Sequence, residues 1–175
     1  MSELATIRFE FERTRRLGDR SLAQLEVGDW HTRSDDEANS IAIIVQHMHG
    51  NMLSRWTEFL TSDGEKTFRD RDGEFEDQHR SPEALRALWA EGWTCCLDAI
   101  GALDDGDLDK TITIRSEPLT VREALLRQLS HYSYHVGQLV LLARAARGKE
   151  FQSLTIPRGQ SKQHTKGTYK RPPGS

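Results

Sequence analysis

The sequence has only two cysteines, and they are the adjacent residues Cys95 and Cys96. Neighbours on a helix point in different directions, so this pair offers no disulfide framework. No apolar run approaches the roughly 20 residues that a membrane span requires. The stretch from Met1 to Phe11 alternates charged and apolar side chains, without the apolar core of a signal peptide. We therefore expect a cytoplasmic protein with no membrane partner.

Acidic residues are missing from the end of the chain. From Arg158 onward there are five basic residues and no acidic one, which leaves 19 basic against 27 acidic residues before it. A body with this negative excess repels nucleic acid, so we predict no nucleic-acid partner. The length of 175 residues fits one domain. We place that domain at residues 1–156, followed by a basic, irregular tail rich in proline and glycine at residues 157–175.

Apolar residues recur at helical spacing in four segments, which predicts an all-α protein. The first, third and fourth predicted helices cover residues 5–25, 81–103 and 120–147, and the second begins after residues 34–37 and runs to residue 59. Capping boxes mark the second start at residues 34–37 and the fourth at Thr120, and Pro82 marks the third. Gly50 interrupts the second helix, which indicates that another group approaches closely there. Alternating polar and β-branched residues at 110–115 predict a short extended arm before the fourth helix, and a long charged linker fills residues 61–80.

His131 and His135 lie four residues apart in the middle of the fourth predicted helix. At about 100° and 1.5 Å per residue, both rings project from one face of the helix. This is the geometry by which one helix offers two imidazole nitrogens to one metal ion. The neighbouring apolar residues Val136 and Leu139 indicate that this face borders the core. The spacing alone is equally compatible with solvated histidines or with histidines satisfied in the core.

A third ligand has to come from another helix, and the second helix offers His47 and His49. The two lie about 200° apart around the helix, so at most one can face the same site, and the helical wheel does not choose between them. His31, His79 and His164 fall in predicted loops or in the tail, where we expect solvated side chains.

Three neutral histidines with an open further position are typical of a catalytic, Lewis-acid centre. Zinc is the default by availability, and imidazole also suits nickel, copper or iron. Asn51, Tyr134 and Gln138 are candidates for orienting an imidazole or a bound water, and are equally compatible with ordinary polar positions on a helix. No carboxylate has a spacing that marks it as a general base, so no catalytic residue is predicted.

Two stretches of the sequence resemble the DinB/YfiT-like superfamily of metalloenzymes. They are residues 47–56, with the sequence HMHGNMLSRW, and residues 131–138, with the sequence HYSYHVGQ. An uncharacterised bacterial branch of that superfamily is more similar, since it also shares stretches like residues 56–64 and 153–161. The resemblance covers nearly the whole chain.

The resemblance implies a four-helix bundle in up-down-down-up order, a homodimer, and a metal site of three histidines. The first ligand of the superfamily precedes the tryptophan of the second helix by about nine residues, which matches His47 at Trp56 and favours it over His49. The other two histidine ligands of the superfamily correspond to His131 and His135. Characterised relatives include transferases and isomerases that use bacillithiol or mycothiol.

We therefore expect a divalent cation, zinc or nickel, and a low-molecular-weight thiol as cofactors. The expected function is that of a metal-dependent transferase or hydrolase acting on a small-molecule or thiol substrate. The alternative is a non-catalytic metal-binding or stress-related dimeric bundle. A third hypothesis is a dimerising helical module whose histidines are packing residues and whose basic tail binds an acidic partner.

Overall fold

The structure is a computed structural model that describes residues 2–163. It is mostly helical, with helices α1 (Glu3–Leu22), α2 (Ile41–Trp56), α3 (Pro82–Gly101) and α4 (Val121–Arg147). Strands β1 (Thr111–Ile114) and β2 (Glu117–Thr120) form a two-stranded antiparallel sheet just before α4. The mostly helical character and the four predicted helices are confirmed for residues 2–163, and the small two-stranded sheet is the departure from the expected all-α class. Within residues 2–163, every helix is too short or too polar to cross a membrane.

The starts of α3 and α4 follow the predicted capping patterns. The Ser81 hydroxyl accepts a hydrogen bond from the backbone N–H of Ala84 ahead of Pro82, and Thr120 forms a reciprocal capping box with Glu123. At the end of α4, Gly148 has φ +53°, a left-handed conformation that suits a residue without a Cβ. These boundaries depend on side chains within one turn of the helix end, which is why the sequence predicts them well.

Helix α2 begins at Ile41, later than the predicted start directly after residues 34–37. Its N-cap is Ser40, whose hydroxyl accepts from the backbone N–H of Ile43. Upstream, Asp35 accepts from the backbone N–H of Glu37 and closes a local turn instead of a helical one. The helix therefore starts where the continuous buried apolar run starts, at Ile41.

The predicted extended arm at 110–115 is strand β1, and its partner β2 was not predicted. Strand β2 contains Pro118 and lacks a polar–apolar alternation, so its sequence carries little strand signal. The connecting turn places Arg115 and Ser116 at φ +57° and +62°. The Asp63 carboxylate accepts the backbone N–H of both residues, at 2.9 and 2.7 Å, and so ties the linker to the hairpin.

One aromatic side chain from each helix forms the centre of the core: Phe11, Trp56, Trp93 and Tyr132, all buried. Phe11 meets Trp56 and Tyr132 edge-on, with ring centroids 5.8 and 6.1 Å apart, and Trp93 meets Tyr132 at 5.6 Å. Helix α2 packs against α3 and α4, and α1 packs against α4 and α3. This arrangement places His47 of α2 beside His131 and His135 of α4.

The predicted tail begins at Pro157, and a 3₁₀ turn at Ser161–Gln163 ends the described part of the chain. The rest of that tail, including His164, lies outside the described residues.

Candidate metal centre

Three histidines from two helices bring their ring nitrogens together. The Nε2 atom of His131 lies 3.3 Å from Nε2 of His47 and 3.0 Å from Nε2 of His135. A cation that binds two imidazoles at about 2.1 Å each holds their nitrogens roughly 3.0 to 3.4 Å apart, for N–metal–N angles of roughly 90 to 110°. These spacings therefore fit a single cation, and the three histidines form a group that could hold one.

His47 is oriented by a carboxylate from the 61–80 linker. Its Nδ1 lies 3.0 Å from Oε2 of Glu74, and Glu74 is held in turn by Arg69 through bonds of 2.7 and 2.8 Å. Burial raises the pKa of Glu74, but the hydrogen bonds from Arg69 and His47 outweigh it and lower that pKa below its usual value. Because an ionised carboxylate only accepts, Nδ1 of His47 carries the proton and Nε2 presents a lone pair to the cluster.

His135 is oriented by Gln138, one turn along α4. Its Nδ1 lies 2.8 Å from Oε1 of Gln138, whose amide nitrogen donates to the Tyr134 hydroxyl at 3.1 Å. That second bond orients the amide so that its oxygen faces the imidazole. Nδ1 of His135 therefore donates, and its Nε2 is also left with a free lone pair. Gln138 thus contacts a site histidine directly, and Tyr134 acts through Gln138.

His131 lies between these two lone pairs. Burial lowers its pKa to about 3, reinforced by repulsion from protonated forms of His135 and His47 and from nearby arginines. Burial and His47 likewise lower the pKa of His135 to about 4, against the opposing effect of Gln138. Both rings are therefore neutral at pH 7, the form that binds metal. A proton on Nε2 of His131 can form a hydrogen bond to only one of the two neighbouring lone pairs. A cation, by contrast, can bind the lone pairs of all three nitrogens.

Asn51, unlike Gln138 and Tyr134, does not belong to the hydrogen bonds that orient a site histidine. Its Oδ1 accepts hydrogen bonds from the Gln128 amide at 2.8 Å and the Tyr132 hydroxyl at 3.1 Å. The Trp56 indole donates to the same hydroxyl at 2.9 Å. Asn51 lines the cavity beside His47, but its hydrogen bonds join α2 to α4 and do not orient an imidazole.

Residues 2–160 match the sequence profile of a family described as "Protein of unknown function (DUF1572)". The chain belongs to the DUF1572 family. No protein with a curated description matches it. A solved structure described as a conserved protein from Enterococcus faecalis superposes on it with a TM-score of 0.58 at 18% identity, covering 85% of this chain and 99% of that one. At this identity the likeness shows a shared fold.

The other histidines among residues 2–163 of this DUF1572 chain lie apart from the cluster. His49 pairs with Glu91 of α3, with His49 Nε2 3.0 Å from the carboxylate, so His47 is the histidine of α2 that joins the cluster. His31 and His79 form a second group with Asp77. His31 is half-buried, contrary to the expectation of a solvated ring, and its nitrogens face Asp77 at 2.9 Å and the Arg80 carbonyl at 3.0 Å. Both ring nitrogens of His31 therefore already face hydrogen-bond partners.

Glu74 and Arg69 are the site residues that sequence reasoning missed. Both lie in the charged 61–80 linker, where no spacing distinguishes them from other charged residues. The one signal was Gly50, since a Cβ at that position would lie 2.2 Å from Oε1 of Glu74. The predicted close approach at Gly50 is confirmed, and the group that approaches is this carboxylate.

Proposed function

We propose that this DUF1572 protein is a DinB-like four-helix bundle that binds one divalent cation, zinc or nickel, through His47, His131 and His135. The bound cation would serve a transferase or hydrolase reaction on a small molecule, with a low-molecular-weight thiol as the implied co-substrate. The observation that carries this proposal is the convergence of three imidazole nitrogens beside a polar cavity lined by His47 and His131.

A cation held there would supply Lewis acidity, which lowers the pKa of a bound water or thiol. The residues of the chain do the positioning. Glu74 and Gln138 hold two of the rings through their Nδ1 atoms, at 3.0 and 2.8 Å, so that the Nε2 lone pairs point inward. Among residues 2–163 three protein nitrogens meet there, which leaves a further coordination position for a ligand that enters through the cavity.

The alternative function is a metal that only stabilises the bundle. One hydrogen-bond network favours the catalytic function over this alternative. It consists of Asn51, Gln128, Tyr132 and Trp56. This buried network joins α2 to α4 beside the histidines, and the aromatic core joins all four helices. The two helices that carry the histidines are therefore held together without a cation.

The test compares the metal-loaded protein, the metal-free protein and the His131→Ala variant. His49→Ala is the matched control, because His49 lies on α2 outside the cluster. We expect the metal-free protein and His131→Ala to keep a helical circular-dichroism spectrum and a cooperative urea transition. We also expect both to lose turnover in a thiol-conjugation or hydrolysis screen, while the control keeps it. Loss of cooperative folding on metal removal, with no turnover by the loaded protein, would favour the structural alternative.

We also propose that the chain forms a homodimer, as the resemblance implies. Leu126, Tyr134 and Leu141 recur at seven- to eight-residue spacing on α4 and are 50%, 62% and 68% exposed. They form an apolar stripe of the kind that a partner helix covers. Light scattering should give twice the 20.0 kDa chain mass for the wild type and a lower mass for Leu141→Glu. A monomeric wild type at all concentrations would contradict the dimer.

A further inference from the structure

The histidine cluster opens onto a small polar cavity of about 180 Å³. His47, His131, Asn51 and Gln128 form one part of its wall. The remainder consists of five arginines: Arg55, Arg69, Arg71, Arg115 and Arg127. The volume is below the roughly 300 to 1,000 Å³ of pockets for drug-sized ligands, so the cavity fits a small molecule or one end of a larger one.

The arginines outnumber the carboxylates that pair with them. Among residues 2–163 these five arginines form ion pairs only with Glu65 and Glu74. Glu65 lies 3.2 Å from Arg55 and 3.0 Å from Arg115. Five guanidinium groups against two carboxylates leave three positive charges in excess, in a chain whose formal net charge is −3. The positive potential is therefore a local property of the cavity.

Several donors around the cavity have no partner. Nε of Arg55 and Nη1 of Arg69 are buried without a hydrogen bond, and the latter lies 3.8 Å from Glu65. The side chains of Arg71 and Arg127 are exposed at the edge of the cavity and make no hydrogen bond or ion pair with any of residues 2–163.

We propose that this cavity binds the carboxylate or phosphate group of a small anionic substrate, next to the open position of the metal centre. The guanidinium group matches both anions, because its parallel N–H groups bind two oxygens at once. Arg71 and Arg127 bind the anion at the edge of the cavity, and the positive charges of Arg55, Arg69 and Arg115 along its wall favour an anion there. The inference rests on the proposed function for the role of the cation, and it names the class of substrate for that site.

The test is isothermal titration of inorganic phosphate into the full-length protein at fixed ionic strength, in the metal-loaded and metal-free states. The variants are Arg71→Gln and Arg127→Gln. Because both side chains are exposed and unpaired within the described chain, their replacement should leave the circular-dichroism spectrum unchanged. Arg144→Gln is the control, since Arg144 is exposed on the same helix as Arg127 but does not line this cavity. Each test variant should weaken phosphate binding about 10-fold, and the control should not change it.

Measuring phosphate binding in both the metal-loaded and the metal-free protein shows whether the anion site or the metal site is wrong. Arginine-dependent phosphate binding in a protein that takes up no metal would support the anion site and overturn the metal-dependent function. Metal uptake with phosphate binding that neither arginine variant weakens would overturn the anion site and leave the metal centre intact. Absence of phosphate binding by the wild type in both states would also overturn it.

Discussion

Gly50 of α2 faces the carboxylate that orients His47, and replacing it with alanine tests that placement. A Cβ at Gly50 would lie 2.2 Å from Oε1 and 2.7 Å from Cδ of Glu74. Contacts of a Cβ below 3.0 Å essentially do not occur. The carboxylate must therefore move, and it cannot do so freely, because Arg69 and His47 hold it by three bonds of 2.7 to 3.0 Å.

The size of the effect follows from two opposing contributions. Alanine in a helix interior is more favourable than glycine by about 1 kcal/mol. Loss of a hydrogen bond to the charged Glu74 costs about 1.5 to 3 kcal/mol. We therefore expect Gly50→Ala to lower the free energy of unfolding of the metal-free protein by about 0.5 to 2 kcal/mol. Release of His47 from its carboxylate partner should weaken metal affinity about 10- to 100-fold.

Two assays measure these quantities: urea unfolding of the metal-free protein, and competition for the metal with a chromophoric chelator. Glu74→Gln should reproduce the loss of affinity. Gly137→Ala on α4 is the control, because a Cβ there meets nothing within 4 Å. The control should be more stable by about 1 kcal/mol and bind metal as the wild type does. If Gly50→Ala were also more stable, with unchanged metal affinity, Glu74 would not lie between Gly50 and His47.

Three further predictions concern the fold around the site. Tyr132→Phe removes the hydroxyl that accepts from the Trp56 indole. It should destabilise the protein by about 1 to 3 kcal/mol in urea unfolding, and a change within 0.5 kcal/mol would contradict the network. Phe11→Ala empties the centre of the aromatic core and should cost about 3 to 5 kcal/mol in the same assay, whereas a loss below about 1 kcal/mol would show that the four helices do not meet there. Burial raises the pKa of Asp63, but backbone hydrogen bonds outweigh it and lower that pKa from 3.8 to about 2. Asp63→Ala should therefore lower the free energy of unfolding, relative to the wild type, by a constant amount above about pH 4. This loss should shrink as the pH falls towards 2, and a loss of unchanged size at pH 2 would refute the prediction.

Local signals predicted much of the helical frame. The boundaries of α3 and α4 depend on Ser81, Pro82, Thr120 and Gly148, whose effects act within one helical turn. The pairing of His131 with His135 follows from helical geometry alone, and their position next to each other is confirmed. By contrast, the wheel of α2 could not choose His47, because that choice depends on which face of α2 turns towards α4.

The parts that could not be predicted depend on contacts between distant segments. The turn between β1 and β2 is bound by Asp63, more than 50 residues away, and the turn residues Arg115 and Ser116 include no glycine or asparagine that would mark a turn. Glu74 reaches His47 from a linker whose path the sequence does not specify. The arginine wall is likewise assembled from α2, the linker, the hairpin turn and α4.

The central claim, that His47, His131 and His135 hold one divalent cation, is tested most directly by metal analysis of the protein purified without a histidine tag. After reconstitution with zinc or nickel and removal of excess metal, elemental analysis should give one equivalent per chain for the wild type and for His49→Ala. It should give close to none for His131→Ala and His135→Ala. A wild-type stoichiometry near zero after reconstitution, or uptake that survives the loss of both His131 and His135, would contradict the claim.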